Sequence, residues 1–143
     1  QPTKDDRMRE IEVSRFVAAQ PFEIEDAVDP ERVVEFEGSF DVLDVDATDA
    51  ETVVTAGGGG LRMVLRFQPR EDGLYYEQEG ESGPFDEMWT HLGWEPENEG
   101  SRVSARSGVS LGLPVPTLTD RVAAWKRRGE LERALDALAD AVE

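Results

Sequence analysis

The sequence predicts an α+β fold of the helix-grip type: a curved antiparallel sheet of six to seven strands wrapped on one long C-terminal helix. Three observations predict it. Residues 9–111 carry short stretches of alternating polarity separated by turn residues. Two short helical patterns interrupt them, both directly after the first strand. The last quarter, Pro116 to Glu143, is a single long helical pattern. A sheet with one apolar face needs cover, and strands gathered ahead of one helix indicate α+β.

Arg9–Val17 places Ile11, Val13 and Val17 at period two, with Arg15 in the same phase, which reads as a strand. Ala18-Ala19-Gln20-Pro21 ends it. Residues 21–28 form a short helical pattern with acids early. Asp29 then caps a second helix with Pro30 at its first position. Six strands follow at Ser39–Asp46, Glu51–Ala56, Leu61–Gln68, Leu74–Glu79, Phe85–Trp94 and Arg102–Leu111. Their turns, Gly57–Gly60, Arg70–Gly73, Gly80–Pro84 and Pro96–Gly100, are too short for parallel crossovers, so the strands form an antiparallel meander.

In the last helix Thr117 or Thr119 is the candidate cap, and Asp120 favours the positive end of the dipole. Leu118, Val122, Trp125, Leu131, Leu135, Leu138 and Val142 recur at helical spacing, as an apolar face directed at the sheet. Gly129 interrupts it at a cost of about 1 kcal/mol relative to alanine. The run Lys126-Arg127-Arg128 reads as a solvated face pairing with Glu130 and Glu132. Arg62 and Arg66 on one strand, and Glu77 and Glu79 on the next, read as cross-strand ion pairs on the outer sheet face.

The 143 residues fit one domain, expected over 9–143, behind a flexible leader at 1–8. Net charge is −17, and of the fifteen basic residues only Lys4 and Lys126 are lysine. Such a surface repels nucleic acid and anionic membranes, so neither is an expected partner. From Glu23 to Glu51 there are twelve acids and one base, Arg32, yet apolar residues punctuate the stretch and exclude a disordered acidic tail. An acidic, lysine-poor but foldable chain suggests a halophilic source. There is no cysteine, hence no disulfide framework and no thiolate chemistry. No apolar run approaches the roughly 20 residues that span a bilayer. QPTKDDRM lacks a signal-peptide core, and a cytoplasmic protein is the expectation.

Three stretches together carry a family resemblance. The first strand runs into VAAQPFEIEDAV, VDPERVVEFEG follows, and the chain ends LPVPTLTDRVAAWKRRGELERALDALA. This order resembles the SRPBCC superfamily, which includes START-like lipid-transfer domains, the pollen-allergen group and polyketide cyclase/dehydrase-like proteins. The resemblance covers Glu10 to Val142. It implies a cavity between sheet and helix. It implies that a hydrophobic or amphipathic small molecule binds there, or that a cyclase or dehydratase works in the same space. Its motifs are architectural, so the fold carries over more firmly than the function.

A curved sheet and one helix leave space between them that side chains do not fill. Met63, Leu65 and Phe67 alternate along one strand and are candidates for its wall. Tyr76, Trp89, Trp94 and Trp125 are large aromatics with a polar handle. Phe85 follows the Gly80–Pro84 loop and is a candidate lid. Arg15, in an apolar phase, needs a partner if buried and is the candidate polar group inside. His91, the single histidine, is the candidate acid or base, weighed against an ordinary strand histidine. The glycine run Gly57–Gly60 is followed by a strand and lacks the Lys-Ser/Thr of a phosphate loop. Asp41, Asp44 and Asp46 lack calcium-loop spacing. No metal and no cofactor is expected. A connected polar cluster in the cavity favours an enzyme, a purely apolar cavity favours carriage, and no cavity with an exposed apolar patch favours protein interaction.

At molar salt the Debye length is about 3 Å and surface self-repulsion is screened. The thermal midpoint is therefore expected to rise between 0.1 M and molar KCl, followed by circular dichroism. A midpoint that stays level or falls removes the halophilic reading.

Overall fold

A computed structural model of the chain describes residues 8–80, 85–111 and 118–143, and of 118–120 the backbone only. The elements are β1 (Arg9–Val17), α1 (Pro21–Ala27), α2 (Pro30–Glu37), β2 (Asp41–Ala47), β3 (Thr52–Gly58), β4 (Leu61–Arg70), β5 (Gly73–Glu79), β6 (Glu87–Glu97), β7 (Gly100–Ser110) and α3 (Leu118–Val142). The seven strands form one antiparallel sheet in the order β1-β7-β6-β5-β4-β3-β2. β2 to β7 are a meander, and β1 pairs with β7. The α1–α2 segment carries the chain from one sheet edge to the other. This is the expected helix-grip α+β architecture.

Local chemistry fixes each end of the helix pair. The Glu23 carboxylate accepts the Gln20 backbone N–H at 2.9 Å, and the Asp29 carboxylate accepts the Arg32 N–H at 2.8 Å. Gly38, at φ +80°, ends α2 in the left-handed conformation that glycine adopts without strain. That cap sets Glu37 as the last helical residue and turns Ser39 back beneath α3.

Boundaries differ from expectation at three turns. Arg70 and Gly73 pair as the ends of β4 and β5, so Glu71 and Asp72 alone turn the chain there. Only Gly59 and Gly60 make the β3–β4 turn, both at positive φ, while Gly57 and Gly58 pair with β4. Pro96 stays in β6, opposite Ser101, and the turn is Asn98–Glu99. β5 no longer runs beside β6 there, so the missing N–H of proline costs no bond on that side. Residues 1–7 of the expected leader, residues 81–84 and the Thr117 cap lie outside the described residues.

The inner sheet face is largely apolar, interrupted by the row Tyr76, Thr90 and Ser107. Val54 and Ala56, Met63, Leu65 and Phe67, Leu74, Met88, Leu92 and Trp94, and Val103, Ala105 and Val109 are all buried on it. α3 packs against β1, β7, α1 and α2. Its buried stripe is Ala124, Arg127, Leu131, Leu135, Leu138 and Ala139. Burying a leucine side chain contributes about 1.5–3 kcal/mol, so the leucine half of the helix supplies most of the attraction. Among the described residues no helix is long and apolar enough to cross a membrane.

Candidate functional site

The expected helix face needs one correction. Val122 and Trp125 are exposed, Trp125 at 74%, and the core-facing position one turn before Leu131 belongs to Arg127, which is 2% exposed. Arg127 is therefore not part of a solvated basic face. Arg128, its neighbour, is exposed and donates to the Glu12 carbonyl at 3.4 Å.

A cation taken out of water needs charge and hydrogen-bond partners, or it costs several kcal/mol. The sheet and α2 supply both. Arg127 Nη1 donates to Glu37 Oε1 at 2.7 Å and Nη2 to Glu37 Oε2 at 3.2 Å, a two-pronged pairing that fits the planar guanidinium. Nη1 also reaches Glu130 Oε1 at 2.9 Å, one turn along α3. Nη2 donates to the Tyr76 hydroxyl at 2.9 Å and to Thr90 Oγ1 at 2.8 Å, while Nε donates to Ser107 Oγ at 3.4 Å. Every guanidinium nitrogen is engaged.

Strand register places the hydroxyls. Tyr76 lies opposite Thr90, and Thr90 opposite Ser107, so one row crosses β5, β6 and β7 beneath Arg127. Thr90 and Ser107 are bonded at 3.0 Å, and Ser107 donates to the Trp89 carbonyl at 2.7 Å. Tyr76 donates to Glu37 and stacks on Phe67, with ring centroids 4.5 Å apart. Outside the cluster, Ser39 donates to Glu130 Oε2 at 2.6 Å. The exposed Arg133 bonds Ser39 and the Glu37 carbonyl, at 3.2 and 3.1 Å.

The electrostatics follow from this packing. Burial works against the Arg127 cation, but Glu37 and Glu130 outweigh it and keep the guanidinium protonated. Burial, then the Glu37 charge, pushes the Tyr76 hydroxyl up, so it remains a neutral donor. The other tyrosine, Tyr75, on the outer face, is pushed up to about 12 by burial and by its bond to Glu77.

The cluster forms one end of an enclosed space. Val34, Phe40, Ala56, Met63, Leu65, Phe85 and Met88 form its apolar walls, and Glu37, Arg127 and Glu130 its polar end. The cavity is about 20 Å³, which seats about one water. Of the residues singled out from sequence, Met63, Leu65 and Phe85 line it. Tyr76 belongs to the polar cluster, Phe67 stacks behind it, and Trp94 is buried in the core.

The others lie elsewhere. Arg15 is 37% exposed at the β1–α3 groove, paired with Asp136 at 2.7 Å. Trp89 is on the outer face, with Arg106 over its ring at 5.5 Å and its indole against Gly108. His91 is exposed on that same outer face, in register between Tyr75 and Arg106, with the sheet between it and Arg127. Burial, then Arg70 and Arg106, lowers its pKa. Arg66 pairs with Glu51 and, at 2.9 Å, with Glu79, the outer-face ion pairing that the strand pattern implies. No cluster of metal-ligating side chains occurs among the described residues.

No family model matches the chain, and no curated protein sequence does. Solved structures do match over nearly the whole chain. The Zhui aromatase/cyclase from a Streptomyces species is similar at a TM-score of 0.77 and 12% identity, covering 94% of this chain and 93% of that one. A protein of Thermus thermophilus gives 0.75 and 20%, with 94% and 97% covered. A START superfamily protein from Mycobacterium smegmatis gives 0.69 and 14%, with 93% and 96% covered. The chain therefore has the START-like helix-grip fold; at these identities the likeness establishes the fold and leaves the chemistry to the residues.

Two outcomes follow. Arg127→Met leaves buried carboxylates uncompensated and is expected to cost about 3–5 kcal/mol in urea unfolding at molar salt, whereas adding Glu37→Leu and Glu130→Leu to it recovers most of the loss. Because both folded tyrosine pKa values lie above the unfolded value of about 10, their contribution to stability is complete below that pH and is lost as pH rises through the folded values. Absorbance at 295 nm is expected to show Tyr75 ionising near 12 and Tyr76 only on unfolding. Tyr76 titrating near 10 in the folded protein contradicts the cluster.

Proposed function

We propose that the chain binds an amphipathic small molecule between the sheet and α3. The observation that carries this reading is the enclosed space itself, apolar along its walls and polar at one end. Sites for such molecules are concave and mostly apolar, with a few placed polar groups. The START-like fold, whose neighbours include proteins titled START superfamily and aromatase/cyclase, supports the same reading. Ligand pockets usually run to about 300–1,000 Å³, so this interior opens to admit one. Met63 and Met88 on its walls are unbranched and change rotamer at little cost. The net charge of −17 disfavours nucleic acid and anionic membranes as partners and supports a salt-rich working environment.

A cyclase or dehydratase in the same space is the second reading, and the connected polar cluster is what favours it. Carriage ranks first because each guanidinium nitrogen is already engaged and Tyr76 is held neutral. A general acid or base works best with a pKa near the operating pH, and the Tyr76 shift runs the other way.

Native mass spectrometry of protein purified in molar salt, followed by solvent extraction, tests the reading. A stoichiometric amphipathic molecule, or a raised thermal midpoint with members of a lipid and isoprenoid panel, is the expected result. An empty protein with no shift across that panel rejects carriage.

A further inference from the structure

We infer that the ligand presents a hydrogen-bond donor, a hydroxyl or a protonated amine, to the polar end of the cavity, and that carboxylates and phosphates are rejected there. The inference rests on the binding reading above and goes further by naming the head group.

Charge is the first support. Two carboxylates, Glu37 and Glu130, face one guanidinium, Arg127, at the polar end, so an ionised cluster is negative by one charge. The Arg127 nitrogens are spent on Glu37, Glu130, Tyr76, Thr90 and Ser107, and the Tyr76 proton is spent on Glu37. An incoming anion meets carboxylates and finds no donor to replace its water. A donor meets carboxylate oxygens with lone pairs to spare, since each oxygen accepts more than one bond.

Gln78 is an independent support. Its side-chain Oε1 is buried without a hydrogen-bond partner, the one such atom among the described residues. Its Nε2 donates to the Phe85 carbonyl at 2.5 Å, which fixes which amide atom is the orphan. Gln78 lies opposite Leu65 in the β4–β5 ladder and so shares the cavity's sheet face; it lines an adjoining open groove, with Met88 common to groove and cavity. A buried acceptor without a donor costs roughly 1–3 kcal/mol, and a ligand hydroxyl or ammonium removes that cost where an ether or carboxylate does not.

The test uses the full chain in molar KCl, where surface attraction is screened, with three probes of matched alkyl length that differ at the head: 1-decanol, decyl methyl ether and decanoate. Calorimetry is expected to show decanol binding about tenfold or more tighter than both others, because sites built to bond a hydroxyl discriminate against analogues that lack it. Gln78→Leu is expected to weaken decanol severalfold and leave the ether unchanged. Decanoate equal to or tighter than decanol overturns the inference, as does an ether that matches decanol; in both cases the binding reading survives. Failure of all three probes to bind overturns that reading, and the head-group inference falls with it.

Discussion

A single guanidinium sits where the helix, the sheet and the α2 cap meet, and its charge has to be neutralised without water. Arg127 achieves this with partners from five elements: Glu37 at the end of α2, Glu130 on its own helix, Tyr76 on β5, Thr90 on β6 and Ser107 on β7. The leucines at 131, 135 and 138 give α3 its affinity for the sheet, but an apolar stripe tolerates a shift along the groove. The cluster does not. Move α3 by one turn and the buried cation leaves Glu37 behind, with the Tyr76, Thr90 and Ser107 hydroxyls, a loss of several kcal/mol. Apolar burial thus attaches the helix, and the ion cluster sets its position.

The same constraint shapes the interior. Gly38 ends α2 so that Glu37 projects inward, and Arg133 holds that cap from outside. With the polar groups collected at one end, the remaining walls are free to be apolar. A small cavity with unlike ends is what this division leaves, and it is the feature that ties the fold to an amphipathic ligand. The outer sheet face has a different character: His91, Trp89 and Arg106 lie there among exposed charges, away from the enclosed space.

Much of the fold was legible in the sequence, because alternation, capping and turn chemistry are local. Arg9–Val17 matches β1 residue for residue, and Asp29-Pro30 starts α2 as read. The inner phases of β4, β6 and β7 follow directly from alternation. The site was legible only in part. Leu118, Val122 and Trp125 are spaced as a helix face, but Leu131 comes six positions after Trp125, and that step breaks the period. Stepping back four from Leu131 lands on Arg127. Hydrophobicity chose Trp125; periodicity alone would have chosen the arginine. Tyr76, Thr90 and Ser107 each stand in an apolar phase, yet only the pairing of three strands makes them one row, and register between strands is not written in any one of them. Arg15 shares its strand phase with buried residues, but β1 is a sheet edge, so its side chain reaches the rim and Asp136 instead.

The coupling between Arg127 and Glu37 tests this account most directly. A double-mutant cycle of Arg127→Met and Glu37→Gln, read by urea unfolding at molar salt, isolates the pair. The account predicts an interaction energy of about 1–3 kcal/mol, the upper part of the range for residues that share a network. Additivity within about 0.3–0.5 kcal/mol, the behaviour of independent sites, would show that the cluster does not hold the helix.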